Sequence, residues 1–367
     1  MAKAKGAANP ALEKILGSAH DMHDKIVGGK KPSMKFPLRS LANVRYTPKK
    51  GHFEMLGKRK ERTLTVSTVK TFAQTMRMLA LSKKLIETDD FATKRDAYYQ
   101  TKNWEDARCD EQSESDTLMD DIEGLYSLNK EQLGFRPDEH GGLVAGELVV
   151  LDHKPGTTQI EEIDCTKFGS GAYGIPSSVE HLGFKTKAKF ILAIETNGIF
   201  ERLNYHRYWS KADCILVSMQ GVPTRAVRRF VRRLADEKKI PVYVFVDCDP
   251  YGIANIYRTL KVGSGNNAHL NEFFCVPQAK FLGVTPQDIL DYDLPTHPLK
   301  DVDIKRAKDA LKNDPFFQHY KAWATGFEQL LKMGKRAEQQ AFAKHDLNFV
   351  MDVYLPEKLK HIEKFLP

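Results

Sequence analysis

The sequence has few cysteines and no long apolar run. Among its 367 residues there are 5 cysteines, none in a CxxC pair: Cys109, Cys165, Cys214, Cys248 and Cys275. Scattered single cysteines are typical of a reducing cytoplasm and argue against structural zinc. No stretch approaches the roughly 18 apolar residues of a membrane-spanning helix, and no apolar core follows the basic start, as a secretory signal would require. We therefore expect a cytoplasmic protein with no membrane partner.

Nucleotide-binding motifs are absent or out of context. The phosphate-binding pattern GxxxxGK[ST] does not occur. Residues 169–174 match GxGxxG, and Glu195 follows at the distance expected of a ribose-binding acid. However, residues 160–164 are charged where a dinucleotide site needs a buried strand, and Pro176 interrupts the helix that should follow. We predict no dinucleotide cofactor, and any ATP hydrolysis must come from another chain.

The charge balance is basic, with 56 Lys and Arg against 48 Asp and Glu and a formal net charge of +8. A basic charge fits a polyanionic partner, but it is also common in ordinary soluble proteins. The distribution is more informative than the total. Basic residues concentrate in residues 1–62, and arginines cluster again within residues 225–233.

Residues 1–64 have the pattern of an extension rather than of a domain. Apolar residues at helical spacing form one stripe within residues 12–26, followed by two glycines and a segment rich in proline and lysine. A single amphipathic helix needs a surface to pack on, either on a partner or on the rest of the chain. We predict a basic N-terminal arm here, with both packing alternatives open.

Residues 65–145 predict three helices followed by strands. The helices are expected at 67–85, from Thr93 as an N-cap, and at 115–127, and residues 143–151 have the pattern of a hairpin or wing. This order is typical of a winged helix-turn-helix, although small helical bundles give the same pattern.

Strands and helices alternate beyond residue 186. Strands are predicted at 189–195, 213–218, 241–247 and 272–276, with helices near 199–208, 224–239 and 252–261. This alternation predicts an α/β fold with a parallel, doubly wound sheet. Residues 301–353 are predicted to be mostly helical and to form a lid or an interface.

Acidic residues follow two of the predicted strands. Glu195 follows the apolar run 190–194, and Asp247 and Asp249 follow the run 242–246. Because the carboxyl ends of parallel strands line the ligand crevice, we expect these carboxylates to lie close together. Grouped carboxylates repel one another and call for a cation. Their hard oxygen atoms suit Mg²⁺, which usually binds beside phosphate, so the pattern predicts metal-assisted phosphoryl chemistry.

Two alternatives compete with this metal site. Acidic residues commonly follow strands without any function. A haloacid-dehalogenase-type phosphatase also carries DxD after a strand, with the first Asp as nucleophile, but normally on the first strand of the fold. In this chain the DxD follows the third strand of its unit.

Five arginines lie on one predicted helix before the Asp247 strand: Arg225, Arg228, Arg229, Arg232 and Arg233. Val227, Phe230, Val231 and Leu234 form its apolar stripe, which is expected to leave the arginines outside. Helix N-termini and arginine side chains bind phosphate oxygens, so Arg225, Arg228 and Arg229 are candidate DNA-binding residues. A solvated helix face is the alternative.

A tyrosine pair on the second predicted helix supplies a candidate nucleophile. A phenol has a pKa near 10 and attacks poorly unless a cation or a base assists. Arg95 lies three and four residues before Tyr98 and Tyr99, and therefore shares a helix face with both. Spacing alone does not choose between the tyrosines, and a structural pair in a helical core is the alternative.

Several segments, in the same order along the chain, are similar to the A subunit of type IIB DNA topoisomerase (topoisomerase VI), whose family includes the meiotic double-strand-break transesterase. They are Arg95-Asp-Ala-Tyr-Tyr99, Gly174-Ile-Pro176, Glu195, Gly221-Val-Pro-Thr-Arg225, Asp247-Cys-Asp-Pro-Tyr-Gly252 and Lys335-Arg-Ala-Glu338. The likeness runs from about residue 66 to the C-terminus. The form of residues 221–225 favours the topoisomerase over the meiotic relatives.

This resemblance implies a fold, an assembly and a role for each site residue. It implies a CAP-like winged-helix domain at 65–145, and a Toprim domain with a helical C-terminal extension at 146–367. Tyr99 would be the nucleophile, Arg95 would support the attacked phosphate, and Glu195, Asp247 and Asp249 would hold Mg²⁺. The chain would form a homodimer on double-stranded DNA and join a GHKL-type ATPase B subunit in an A2B2 heterotetramer, with residues 1–64 as a candidate docking element.

Two other functions remain to be separated from this one. A metal-dependent nuclease of the Toprim or phosphatase kind would activate water and leave Tyr99 structural. A non-catalytic winged-helix DNA-binding regulator would leave the three carboxylates unexplained.

Overall fold

The computed structural model of the chain describes residues 9–136, 141–153 and 157–367. These residues form two compact units. The first contains residues 9–44, 55–136 and 265–270, and the second contains 45–54, 141–153, 157–264 and 271–367. In the described ranges, no helix is long and apolar enough to span a membrane.

The α-helices, in chain order, are α1 (Pro10–Val27), α2 (Val69–Thr88), α3 (Lys94–Thr101), α4 (Gln112–Tyr126), α5 (Asn197–Tyr205), α6 (Tyr208–Ala212), α7 (Arg225–Lys238), α8 (Arg258–Lys261), α9 (Asn271–Phe274), α10 (Pro286–Asp291), α11 (Asp301–Asn313), α12 (Pro315–His319), α13 (Lys321–Met333) and α14 (Leu355–Leu359). Gly252–Tyr257 and Val350–Tyr354 are π-helical.

The strands are β1 (Ser33–Pro37), β2 (Val44–Thr47), β3 (His52–Met55), β4 (Arg59–Thr63), β5 (Ala92–Thr93), β6 (Phe135–Arg136), β7 (Leu143–Gly146), β8 (Leu148–His153), β9 (Ile160–Asp164), β10 (Tyr173–Gly174), β11 (Leu182–Thr186), β12 (Phe190–Ile194), β13 (Cys214–Ser218), β14 (Val242–Phe245), β15 (Ala279–Gly283), β16 (His297–Pro298) and β17 (Lys335–Arg336).

Helix α1 packs into the core of the first unit, although Ile26, at the end of the predicted stripe, is 55% exposed. Ala11, Ile15 and Met22 are buried in the same cluster as side chains of α2 and α4. The Lys14 ammonium donates to the Tyr126 carbonyl oxygen at 2.6 Å, next to the end of α4. Of the two packing alternatives left open by the sequence, packing against its own chain is the one found. The division predicted at residue 64 is therefore not a boundary between compact units.

The three helices predicted for the first unit are confirmed as α2, α3 and α4. The wing predicted at residues 143–151 is wrong. β7 pairs with β10 and β13, whereas β8 pairs with β9 and β11, so the two strands belong to different sheets. The chain changes sheets after Gly146, whose φ of 114° favours glycine. A Cβ at Gly146 would lie 2.6 Å from the Cys214 carbonyl oxygen.

A six-stranded sheet forms the centre of the second unit, in the order β10-β7-β13-β12-β14-β15. The four strands β12 to β15 are mutually parallel, and β7 pairs antiparallel with both of its neighbours, β13 and β10. Every residue of β12, β13 and β14 is buried, as expected of strands covered on both faces. The predicted parallel sheet is confirmed, and its buried strands position the acidic residues that follow them.

The last parallel strand lies later in the chain than predicted. Residues 271–274 form helix α9, and the strand is β15 at 279–283. Residues 273–276 are apolar, with Phe274 buried, but Pro277 follows them directly. Proline cannot donate a ladder hydrogen bond, so the strand begins only after it.

Candidate active site

Glu195 and Asp247 are brought together by two adjacent parallel strands. β12 and β14 are in register, with Ile194 opposite Phe245, so the residues that follow emerge at the same edge of the sheet. The Glu195 backbone N–H donates to the Phe245 carbonyl oxygen at 3.0 Å. The Asp247 backbone N–H donates to Glu195 Oε2 at 2.9 Å. The proximity predicted from the sequence is therefore present.

Negative charge at this edge is poorly compensated. Burial raises the pKa of the Glu195 carboxyl to about 8, and the charge of Asp247 adds to the rise. Burial also raises the pKa of Asp247 to about 6, although a backbone N–H from Gln339 acts in the opposite direction. Asp249 and Glu338 raise both pKa values further. A cation at this position would favour the ionised carboxylates.

Asp249 accepts a hydrogen bond on each of its two carboxylate oxygens. Its Oδ1 accepts from the Gly252 backbone N–H at 2.6 Å, and its Oδ2 accepts from Arg336 Nη1 at 3.3 Å. A Cβ at Gly252 would lie 2.8 Å from the Asp247 carbonyl oxygen, 3.2 Å from Glu195 Oε2 and 3.3 Å from Asp249 Oδ1. The missing side chain at Gly252 is what allows the backbone to pass close to all three acidic residues.

A late segment, residues 335–339, completes this edge. Its Ala337 pairs with Cys248 through two backbone hydrogen bonds of 2.8 and 3.2 Å. The pairing brings Arg336 to Asp249 and places the exposed Glu338 near Glu195 and Asp247. The sequence resemblance included residues 335–338 but assigned them no role.

Gln339 is a residue that the sequence analysis missed. It is fully buried, and its backbone N–H donates to Asp247 Oδ1 at 2.8 Å. Its side-chain Nε2 donates to the Phe245 carbonyl oxygen at 2.9 Å, and its Oε1 accepts from Thr196 Oγ1 at 2.8 Å. One side chain therefore links the ends of β12 and β14. A glutamine 92 residues from Asp247 carries no local signal of this position.

Replacing Gln339 with leucine should destabilise the second unit. The Phe245 carbonyl oxygen would keep only the Glu195 backbone N–H as a donor, and the Thr196 hydroxyl and backbone N–H would lose their acceptor. Each lost hydrogen bond costs about 1 kcal/mol, and a buried group left unsatisfied costs about 1–3 kcal/mol. We expect the free energy of unfolding in denaturant to fall by about 2–3 kcal/mol. Gln340→Leu, at the exposed neighbouring position, is the matched control and should change it by less than about 0.5 kcal/mol. Equal effects would show that Gln339 does not link the strands.

The donor set of this edge fits a hard divalent cation. Its side chains offer carboxylate oxygens, and burial disfavours their ionised form in the absence of a positive charge. In the part of the chain that the structure describes, no group of three or more His, Cys, Asp or Glu side chains already surrounds a metal position.

Helix α3 in the first unit is sharply defined at its start. The Thr93 side chain accepts from the Asp96 backbone N–H at 3.1 Å, and Asp96 Oδ2 accepts from the Thr93 backbone N–H at 3.0 Å. This reciprocal capping box confirms the predicted N-cap. It sets the orientation of the tyrosine pair one turn later.

The two tyrosines differ in how they are held. The Tyr98 hydroxyl donates to the Asp110 carbonyl oxygen at 3.0 Å, and the Lys102 ammonium lies 4.3 Å from the Tyr98 ring centroid. Tyr99 is 56% exposed, and among the described residues no group is hydrogen-bonded to its hydroxyl. Arg95 is exposed one turn before Tyr99. Of the two phenols, that of Tyr99 is the more accessible to an external phosphate.

The arginines of α7 were predicted to lie outside, but each of them is buried or half-buried. Arg228 is only 8% exposed, and Arg225 and Arg228 lie 5.9 and 5.8 Å from the centroid of the Phe274 ring. Arg229 makes a two-pronged ion pair with Glu180, at 2.5 and 2.9 Å. The remaining arginines of the cluster, Arg232 and Arg233, pair with Asp236 and Glu237. The helix uses its arginines within the second unit, while its predicted apolar stripe is buried as expected.

Three family models match the chain. They describe the type IIB DNA topoisomerases at residues 70–135, the all-beta domain of the DNA topoisomerase VI alpha chain at 138–188, and the Toprim domain of the topoisomerase 6 A subunit and Spo11 at 190–359. The all-beta match contains the three-stranded sheet β11-β8-β9. It is separate from the Toprim match, whereas the sequence analysis placed residues 146–367 in one domain.

Curated relatives match over nearly the whole chain. The protein from Methanocaldococcus jannaschii that is named as the A subunit of type 2 DNA topoisomerase 6 is 51% identical, over 97% of this chain and 96% of its own length. Proteins of the same name from Methanothermobacter thermautotrophicus and Archaeoglobus fulgidus are each 35% identical, over 96% of this chain and 98% and 97% of their own lengths.

The resemblance seen in the sequence is thereby confirmed, as is its enzyme class. The matches also imply the use of a divalent metal ion, DNA as substrate and a partner B subunit. The buried carboxylates at the strand ends of the matched Toprim region and the exposed tyrosine on helix α3 agree with the use of a divalent metal ion and a DNA substrate. The chain belongs to the family of topoisomerase 6 A subunits, the DNA-cleaving subunits of the type IIB DNA topoisomerases.

Proposed function

We propose that Tyr99 is the nucleophile with which this protein cuts and rejoins DNA. The observation that carries the proposal is the contrast within the tyrosine pair, because the Tyr98 hydroxyl is engaged and the Tyr99 phenol is exposed. The Tyr99 hydroxyl gives up its proton as Oη bonds to phosphorus, the P–O3′ bond breaks, and the 3′-oxygen leaves and takes up a proton. The 5′-phosphate stays joined to Tyr99. Rejoining reverses each step, so cleavage itself consumes no ATP.

Arg95 and the acidic edge assist this reaction in the proposal. Arg95, one turn from Tyr99, would neutralise charge that builds on the attacked phosphate. Glu195, Asp247 and Asp249 would hold the metal ion, and their hard oxygen donors favour Mg²⁺. When bound, Mg²⁺ would stabilise charge on the phosphate oxygens. Gln339 would keep Glu195 and Asp247 at the same edge through its contacts with both strand ends.

The assembly is part of the same proposal. Two cuts, one in each strand, require two tyrosines and hence a homodimer, in which the tyrosine of one copy would meet the metal pocket of its partner. A GHKL-type ATPase B subunit would complete an A2B2 heterotetramer and supply ATP hydrolysis, since this chain has no GxxxxGK[ST] motif. Strand passage through the break would then relax supercoils.

The remaining predictions from the sequence are supported to different degrees by the structure. A winged-helix arrangement of α2 to α4 and docking of the B subunit by residues 1–64 stay predictions. Arg225 remains a candidate DNA-binding residue near the start of α7, but the burial of Arg228 and the ion pair of Arg229 weaken their candidacy. A cytoplasmic location remains a prediction from the scattered cysteines, all five of which are buried and free of disulfides.

A denaturing gel tests this function against its two rivals. The chain is incubated with end-labelled duplex DNA, Mg²⁺ and the B subunit, and the reaction is stopped with detergent. A covalent protein–DNA adduct supports the transesterase. Cleavage without an adduct would indicate a nuclease that activates water, and binding without cleavage would indicate a regulator.

Mg²⁺ should stabilise the protein more at pH 8 than at pH 6. The pKa of Glu195 is raised from 4.5 to about 8 on folding without metal, so the ionisation of Glu195 disfavours the folded state increasingly as the pH rises toward 8. Bound Mg²⁺ would offset that penalty, and at pH 6 protons compete with it. Thermal melts with Mg²⁺ or EDTA at the two pH values measure this. The Glu195→Gln/Asp247→Asn variant is the control and should lose the pH dependence; an equal Mg²⁺ effect at both pH values would contradict the site.

A further inference from the structure

A strongly basic element of the first unit is a two-stranded ribbon, residues 30–37 and 58–63, called here the basic ribbon. It contains β1 and β4, which pair antiparallel over five residues each. Its sequence carries one acid, Glu61, and seven basic residues: Lys30, Lys31, Lys35, Lys58, Arg59, Lys60 and Arg62.

The inner face of the basic ribbon anchors it to the first unit. Met34 and Phe36 are buried in the unit's core cluster. Arg62 lies with its guanidinium 4.3 Å from the Phe36 ring centroid and pairs with Asp121 at 2.6 Å. At one end, Asn43 is buried and donates to the Lys58 carbonyl oxygen at 3.1 Å. The ribbon is therefore a defined structural element on which outward side chains have fixed positions.

The exposed cations of the ribbon form no ion pair in the described part of the chain. Every basic residue of the ribbon other than Arg62 is exposed, and none forms an ion pair among the described residues. The arginines of α7 behave differently, since Arg229, Arg232 and Arg233 are each paired with an acid. Glu61 lies opposite Lys35 in the strand pairing, and seven basic residues against this one acid leave the ribbon with a net positive charge. Such a charge raises the local concentration of any polyanion.

We propose that the basic ribbon binds the phosphate backbone of the DNA duplex outside the reacting site. A five-residue strand spans about 16 Å, which matches about five phosphates of one DNA strand. Backbone contact of this kind positions a duplex without reading its sequence. The inference rests on the proposed function only in taking DNA as the substrate, and it adds a second region of contact to it.

The competing partner is a protein surface, in the first place the B subunit, for which residues 1–64 are a candidate docking element. Centres of protein interfaces are enriched in aromatic side chains and depleted of lysine. The basic ribbon has the opposite composition, because its large apolar side chains, Met34 and Phe36, are buried. Its exposed side chains include five lysines: Lys30, Lys31, Lys35, Lys58 and Lys60. DNA is therefore the partner that the composition favours.

The test is the salt dependence of DNA binding. The full chain and the variant Lys35→Gln/Arg59→Gln/Lys60→Gln are titrated with a fluorescent duplex in EDTA, at several salt concentrations. Losing three phosphate contacts should reduce the magnitude of the log–log salt slope by about 2.7. It should also weaken binding about tenfold or more at roughly 100 mM salt. Because no cleavage occurs in EDTA, this readout does not depend on whether Tyr99 forms an adduct.

A matched variant controls for the loss of net charge. Lys305, Lys308 and Lys312 are exposed on α11 in the second unit, and their replacement with glutamine removes the same charge. This control should change the slope by less than about 1. Equal slopes for the two triple variants would overturn the proposal. Unchanged DNA binding together with lost association with the B subunit would also overturn it, and would make the ribbon a protein-docking surface. Circular dichroism melts confirm that both variants fold.

Discussion

Replacing Tyr99 with phenylalanine is expected to abolish the covalent adduct and to lower DNA cleavage by at least about 10⁴-fold, the scale on which loss of a nucleophile acts. Phenylalanine keeps the ring, its 5.5 Å spacing from the Tyr98 ring and the helix, and removes only the attacking oxygen. DNA binding in EDTA should therefore stay unchanged. The measurement is adduct formation on a denaturing gel with Mg²⁺ and the B subunit.

Tyr98→Phe is the matched control for this prediction. It removes the hydroxyl that donates to the Asp110 carbonyl oxygen, an exposed hydrogen bond worth about 1 kcal/mol or less. Cleavage and adduct formation should remain. Loss of the adduct in Tyr98→Phe with its retention in Tyr99→Phe would assign the nucleophile to the other tyrosine. Adducts in both variants would refute the tyrosine mechanism.

Removing either strand-end acid should have the second largest effect. We expect Glu195→Ala and Asp247→Ala to bind DNA normally but to lose cleavage by about 10³-fold or more, since a metal ion contributes several kcal/mol to a phosphoryl transition state. Cleavage and binding are measured in parallel. Glu201→Ala, at an exposed acid within α5 that follows Glu195 in the chain, is the control and should cleave normally. Normal cleavage by either site variant would contradict the metal assignment.

Removing the charge of Glu195 is expected to raise the stability of the metal-free protein, although it abolishes activity. The Glu195 pKa of about 8 means that ionising this group destabilises the metal-free protein. Glu195→Gln keeps the acceptor for the Asp247 backbone N–H and removes the charge. Its melting temperature in EDTA at pH 8 should therefore exceed that of the unaltered chain, although its activity is lost. A lower melting temperature would show that Glu195 serves the fold rather than a cation.

The two acidic strand ends were accessible to sequence reasoning because local patterns determine them. Residues 190–194 and 242–246 are continuous apolar runs, and such runs form strands buried on both faces. The Thr93 cap is equally local, since it involves a side chain and a backbone group three residues apart. Patterns of this kind need no knowledge of which distant segments meet.

The arginines of α7 and the end of β7 were mispredicted for the opposite reason. A helical pattern shows which face is apolar, but Arg229 is covered because Glu180, 49 residues away, lies against it. The alternation at 143–151 predicts two strands correctly, but which sheet each strand joins depends on partners elsewhere. Only Gly146, with its positive φ, marks the point where the chain changes sheets.

By itself, the sequence determined that this chain has a parallel sheet ending in carboxylates, a capped helix bearing two tyrosines, and the family that unites them. Only the tertiary structure decided which phenol is free, and that Gln339 and Arg336 reach the acidic edge. Periodicity reports on neighbours within a few residues, whereas these contacts join segments about 90 residues apart. Their formation depends on the packing of the whole second unit, which no short stretch of sequence encodes.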